Sequence, residues 1–210
     1  MPTDLPIRCE CGALRGTLRG VDETRGNRLV CYCDDCQSFA HFLNRGTGDA
    51  VLDELGGTDL FQTAPSRVTI EAGTEELAVV NLKPGGLMRW YARCCNTPIA
   101  NTMRSPQMPF VGTIGMAVDH AGDGRSRDET LGPIRGFHLT ELAKGDASHL
   151  AAGGGRSLAM LGRIFRLLLV WRLRGEHRPS PFFDDEGELR CEPRVLTADE
   201  LAEVEARRDA

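Results

Sequence analysis

The stretch Cys31-Tyr32-Cys33-Asp34-Asp35-Cys36 limits what this chain can be more than any other. It sets three thiols within six residues, in a C-x-C-x-x-C pattern. That density is foreign to ordinary core cysteine and well suited to one metal ion. Thiolates are soft donors, and three of them with a fourth position open suit Zn²⁺ that takes an exchangeable ligand. The flanking pattern explains how they meet. Arg28–Tyr32 reads as a short strand delivering Cys31 and Cys33. Asp34 reads as the cap of a helix carrying Cys36, Phe39 and Phe42 on related faces. A helix N-terminus beside the thiolates favours their negative charge.

Two further cysteine pairs follow the same logic. Cys9 and Cys11 form a second C-x-C, with Gly12 next, where the backbone can bend two thiolates toward one ion. Cys94 and Cys95 are vicinal, between an aromatic strand and the turn Asn96-Thr97-Pro98. The N-terminus has no basic start and no apolar run, so no secretory signal is expected. No stretch reaches the roughly 18–20 uninterrupted apolar residues of a transmembrane segment. A cytoplasmic location is therefore expected, where cysteines at these spacings favour metal over disulfides. Net charge is −5, and with that acidic balance no nucleic-acid partner is expected.

The 210 residues allow one sizeable domain with an extension. Ala13–Arg19 alternates as a strand does. Further strands are expected at Leu60–Thr63, Arg67–Ala72, Leu77–Leu82, Leu87–Tyr91, Pro109–Ile114 and Ile134–Leu139. Asp119–Asp128 reads as a mobile surface loop. Short strands at such spacing predict a mainly β, antiparallel domain over residues 5–150. Ala151–Gly155 resembles a hinge that opens a helical extension over 151–210. Within it, Arg156–Arg174 is an apolar helix too rich in arginine to span a membrane. It is expected to dock on its own domain, on a second copy or on a protein partner, with membrane-surface attachment as the lesser reading. Thr197 and Glu200 form a capping box that starts a last polar helix.

With these three cysteine motifs in their order, the chain resembles the glutathione-dependent formaldehyde-activating (Gfa) and CENP-V family over roughly residues 5–145. The resemblance implies an antiparallel β-tent with two zinc ions. One is structural, held by Cys9, Cys11 and a later pair ending in Cys95. The other is exchangeable, held by Cys31, Cys33 and Cys36. It also implies a carbon–sulfur lyase that takes a small thiol, glutathione, and forms S-(hydroxymethyl)glutathione with formaldehyde. The third motif departs from the family pattern: if Cys95-Asn96-Thr97-Pro98 replaces the family's Cys-Gly-Thr-Pro, the first cysteine of its C-x-x-C falls on Ala92. Cys94 stands instead beside Cys95. Neighbours on an extended strand point to opposite faces, so both reach one ion only if the backbone turns sharply there. The preferred set is Cys9, Cys11, Cys94 and Cys95; a three-cysteine site with another ligand, or loss of the site, are the alternatives. The competing function is a non-catalytic zinc module that binds a protein. His41, Cys191, Asp34, Asp35, Arg93 and Trp90 are weighed chiefly as packing, capping or surface residues. The functional alternatives are a ligand role for His41 or Cys191, a base at Asp34 or Asp35, and a carboxylate-binding role for Arg93.

Overall fold

The computed structural model describes residues 2–22, 24–46, 51–120, 124–150 and 158–210. Strand alternation builds two sheets. In the first, β1 (Thr3–Arg8) pairs antiparallel with β2 (Arg15–Val21), which pairs antiparallel with β5 (Val68–Ala72). The second has eight strands: β3 (Asn27–Cys31), β4 (Thr58–Thr63), β6 (Leu77–Asn81), β7 (Met88–Ala92), β8 (Thr97–Thr102), β9 (Val111–Ile114), β10 (Phe137–His138) and β11 (Arg194–Val195). Their order is β10-β3-β4-β9-β8-β7-β6-β11. The interior pairings are antiparallel, but β10 and β11 join the edges in parallel, so the sheet is mixed.

Strand β7 shows how one sequence serves both faces. Met88, Trp90 and Ala92 enter the core beneath the small sheet, with Leu5, Ile7 and Leu18. Trp90 is fully buried, donates to the Thr102 hydroxyl at 2.9 Å and meets Phe182 at a ring distance of 4.9 Å. Arg89 and Tyr91 take the opposite face, where Tyr91 meets Phe42 edge-on. That face is covered by α1 (Asp34–Phe42) and α4 (Ala198–Asp209), through Phe39, Leu43, Leu196 and Val204. The Thr197–Glu200 capping box forms as the sequence predicts.

Helix α3 (Leu158–Leu173) lies on the β domain. Leu167 and Trp171 bury against Ala64, and Arg163 donates to the Gly26 carbonyl at 2.8 Å. Leu161, Phe165, Leu169 and Leu173, spaced four apart along the helix, are exposed, and Leu161 also borders the cavity beside Cys31, Cys33 and Cys36. Among the described residues no helix is long and apolar enough to cross a membrane. The segment after α3 is built into the same core, since Phe182 and Phe183 join the cluster around Trp90. The expected hinge at Ala151–Gly155 lies outside the described residues.

Several local expectations are corrected. Part of the polar Asp119–Asp128 stretch enters helix α2 (Arg127–Leu131), started by a Ser126–Glu129 capping box. The strand expected over Ile134–Leu139 shortens to β10. Its backbone follows β3 through Arg135, Gly136 and His138 without a longer regular ladder. Strand β8 takes in Thr97 and Pro98, which the sequence reads as part of a turn, and β1, which carries Pro6, is not among the expected strands.

Candidate metal centres

The C-x-C-x-x-C stretch folds as strand, turn and helix. Cys31 ends β3, Cys33 is the residue before α1, and Cys36 lies in its first turn. The Cys33 carbonyl accepts from the Cys36 and Gln37 amides at 3.0 and 3.2 Å. Cys33, not Asp34, therefore occupies the N-cap, and no side chain caps the helix. Gln37 fixes the turn: its buried amide donates to the Tyr32 carbonyl at 2.6 Å and the Leu142 carbonyl at 3.0 Å. The three sulfurs converge within 4.8 Å of one another. Cys31 and Cys36 are buried and Cys33 is half-buried.

Arg89 faces this cluster from β7. It is 2% exposed, and its guanidinium donates to Cys36 Sγ at 3.4 Å and lies 3.9 Å from Asp35. A buried guanidinium without negative partners costs several kcal/mol. Burial opposes its charge, and the Cys36 sulfur beside it more than restores it. Among the thiols, hydrogen bonds from Cys31 and then Cys33 hold Cys36 well below the usual thiol range, against its burial and with help from Arg89. Hydrogen bonding to Cys33 and Cys36 pushes Cys31 up. Three thiolates around a divalent ion would leave one net negative charge, which Arg89 would offset.

The second cluster is assembled from distant pieces of chain. Cys9 and Cys11 lie in the β1–β2 connection, where Gly12 adopts a φ of 77°. Cys94 and Cys95 sit in the turn between β7 and β8, closed by the Cys95 amide on the Ala92 carbonyl at 3.4 Å. Asn96 follows with a φ of 54°. This is the sharp turn that vicinal cysteines require, and it brings all four sulfurs together. Sulfur separations are 3.5 Å for Cys9–Cys11, 3.3 Å for Cys11–Cys94, and 3.8 Å for both Cys9–Cys94 and Cys94–Cys95. Four sulfurs at about 2.3 Å from a tetrahedral zinc lie about 3.8 Å apart, so this donor set fits a closed zinc site. Burial raises the Cys9 and Cys94 thiols. Cys95 is drawn down to about 6: burial opposes this, while the Thr97 hydroxyl and the Cys11 amide hydrogen-bond to its sulfur. Arg45 ties the site together, bonding Glu10 and donating to the Cys95 carbonyl at 3.0 Å.

The remaining candidates fall outside both clusters. His41 and Cys191 do not join either group of converging ligand atoms. Cys191 instead packs against the core around Trp90. Asp35 pairs with Lys83 at 2.7 Å, and Asp34 lies 3.7 Å from Arg208. Arg93 adjoins the four-cysteine cluster, not the central one, and donates to the Leu77 carbonyl at 3.1 Å. Trp90 is core. Sequence reasoning missed Arg89, Asn101 and His138, which line a cavity of about 240 Å³ beside Cys31, Cys33 and Cys36. The available signal was a charged residue between Met88 and Trp90 in an otherwise apolar strand, which strand alternation turns to the other face.

Fold and clusters together define a mainly β protein, with antiparallel and mixed sheets, C-terminal helices and two cysteine groups able to hold metal ions. The chain belongs to DUF6151, a family of unknown function, which matches residues 1–190. No curated protein matches it. A crystal structure of a Rhodobacter sphaeroides protein is similar at 16% identity with a TM-score of 0.42, covering 62% of this chain and 97% of that one.

Proposed function

We propose that this is a zinc-dependent, carbon–sulfur lyase-like protein with a Gfa-like β-tent domain, working in the reducing cytoplasm. Cys9, Cys11, Cys94 and Cys95 hold a structural zinc. Cys31, Cys33 and Cys36 would hold an exchangeable one, and the cavity beside them takes a thiol and an aldehyde. The observation that carries this reading is the buried Arg89 against three converging cysteines that open onto a cavity. A purely structural site is usually closed by four protein ligands and needs neither the cavity nor a buried counter-charge.

A zinc held by Cys31, Cys33 and Cys36 would supply a coordination position that favours a bound thiol in its deprotonated form near neutral pH. Arg89 would offset part of the negative charge that three thiolates and a bound thiol bring together. Cys33 and Cys36 sit at the α1 N-terminus, where the helix dipole favours negative charge, and the cavity beside them gives the reactants a shared space. The reaction balances without redox change. The sulfur gives up its proton and forms a C–S bond to the carbonyl carbon. The C=O π pair moves to oxygen, which takes a proton, and RSH plus CH₂O gives RSCH₂OH. Glutathione and formaldehyde are the pair the sequence resemblance implies.

The exposed row Leu161, Phe165, Leu169 and Leu173 on α3 favours a second reading, a zinc module docking a protein or a second copy through this helix. Elemental analysis of zinc per chain, with an adduct-formation assay, separates the two. The lyase reading expects two zincs, one in Cys33→Ser, and an adduct rate above that of Cys33→Ser. Two zincs with no acceleration over the zinc-free control would leave the module. No zinc in the wild type would remove both.

A further inference from the structure

The cavity beside the central cysteines has a floor set by strand register. Gln62 pairs with Gly112, Gly112 with Asn101, and Asn101 with Arg89, so these four form one row across β4, β9, β8 and β7. Gly112 leaves the middle of the row without a side chain. The walls and roof are apolar: Leu60, Phe110 and, from α3, Met160, Leu161 and Ile164. Helix α3 lies beyond the region of the Gfa resemblance, so the roof belongs to the extension.

We infer that this cavity takes a small uncharged thiol with a short hydrocarbon body, and that α3 makes it discriminate against glutathione; this rests on the thiol-binding reading of the central cysteines. Size is the first reason. At about 240 Å³ the cavity is below the roughly 300–1,000 Å³ that encloses drug-sized ligands. Charge is the second. Glutathione carries two carboxylates and an ammonium, and burying any of them unpaired is costly. Among the described lining residues Arg89 is the one arginine or lysine, and it is already engaged by Cys36 and Asp35. Polarity is the third. Asn101 is 2% exposed, and its Oδ1 is buried without a hydrogen-bond partner while the residue lines the cavity. Besides the cysteines and Arg89, the polar side chains of the lining are Asn101, Gln62 and His138, few partners for two carboxylates and an ammonium.

The test is a titration of the full-length protein loaded with cobalt, following the visible absorption of the metal. Butanethiol and glutathione are added separately, to wild type, Gly112→Val and Leu161→Glu. A Cβ at Gly112 would lie 3.5 Å from Phe110 and 3.9 Å from Asn101, so the added side chain fills the cavity without a clash at its base. Leu161 is 46% exposed, so the second variant threatens folding less. Butanethiol is expected to bind at least about tenfold more tightly than glutathione to wild type. Each variant is expected to lose at least about tenfold for butanethiol with its metal spectrum retained. Glutathione binding as tightly as butanethiol, or unchanged butanethiol affinity in both variants, overturns the inference and leaves the thiol-binding reading standing. No spectral response to either thiol in metal-loaded wild type sinks the thiol-binding reading itself.

Discussion

Cys9 and Cys94 are 85 residues apart in sequence, and two of the four sulfurs in their cluster are exposed. Cys31, Cys33 and Cys36 span six residues, and their cluster is largely buried beside a buried arginine. The first cluster ties the β1–β2 connection to the β7–β8 turn, and so joins the small sheet to the large one. An ion there closes a long loop, where cross-linking contributes most. The second cluster cross-links a stretch that a strand and a helix already hold in place. An ion there would add little by closure, so the buried charge and the cavity need another reason, which the proposed chemistry would supply.

Stability measurements can break this comparison directly. Treating each ion as a cross-link, Cys9→Ser is expected to cost about 4–5 kcal/mol and Cys33→Ser about 2 kcal/mol, because closure entropy grows with loop length. Urea unfolding of the metal-loaded proteins reads both. Equal losses, or a larger loss in Cys33→Ser, would reverse the assignment of structural and exchangeable sites. Next in size is Arg89→Met, which removes the charge balance of the central cluster and leaves the other untouched. Competition with a chromophoric chelator is expected to show central-site affinity falling about 10–100-fold, the usual effect of losing an outer partner of a metal site. If both sites weaken together, or neither does, the charge argument for Arg89 falls.

The same contrast explains what was legible in the chain. Cys31, Cys33 and Cys36 converge through local structure alone, so their spacing and the expected strand and helix nearly determined the site. The helix start moved by one residue because the Cys33 carbonyl already accepts the first-turn amides. The four-cysteine cluster depends on long-range pairing, and a cysteine count could suggest it but not show its turn. Arg89 was hidden for a different reason. Its role comes from lying on the sheet face that α1 covers, a relation that needs both the strand face and the packing partner. Asn101 and Gly112 gain their places from cross-strand register, which no local pattern states. The parallel edges β10 and β11 were hidden likewise, each being two residues long.

The smallest effect is expected at Asn96, and it sharpens the account of how the four-cysteine cluster forms. Its φ of 54° lies in the left-handed region, where most side chains cost about 1–2 kcal/mol and asparagine less. Glycine adopts that conformation without a Cβ penalty, at some entropic cost in the unfolded chain. Asn96→Gly is therefore expected to change stability by less than about 0.5 kcal/mol, and Asn96→Ala to lower it by about 1 kcal/mol. Both should keep two zincs, because the variants leave every sulfur in place. Thermal unfolding of the metal-loaded variants orders them. If glycine were as damaging as alanine, the asparagine side chain would matter for its own contacts, and the turn that lets Cys94 stand in for a more distant cysteine would owe less to backbone conformation. If the two variants behave as expected, that turn follows from backbone geometry at Asn96, whereas the central cysteines rely on their helix and Arg89.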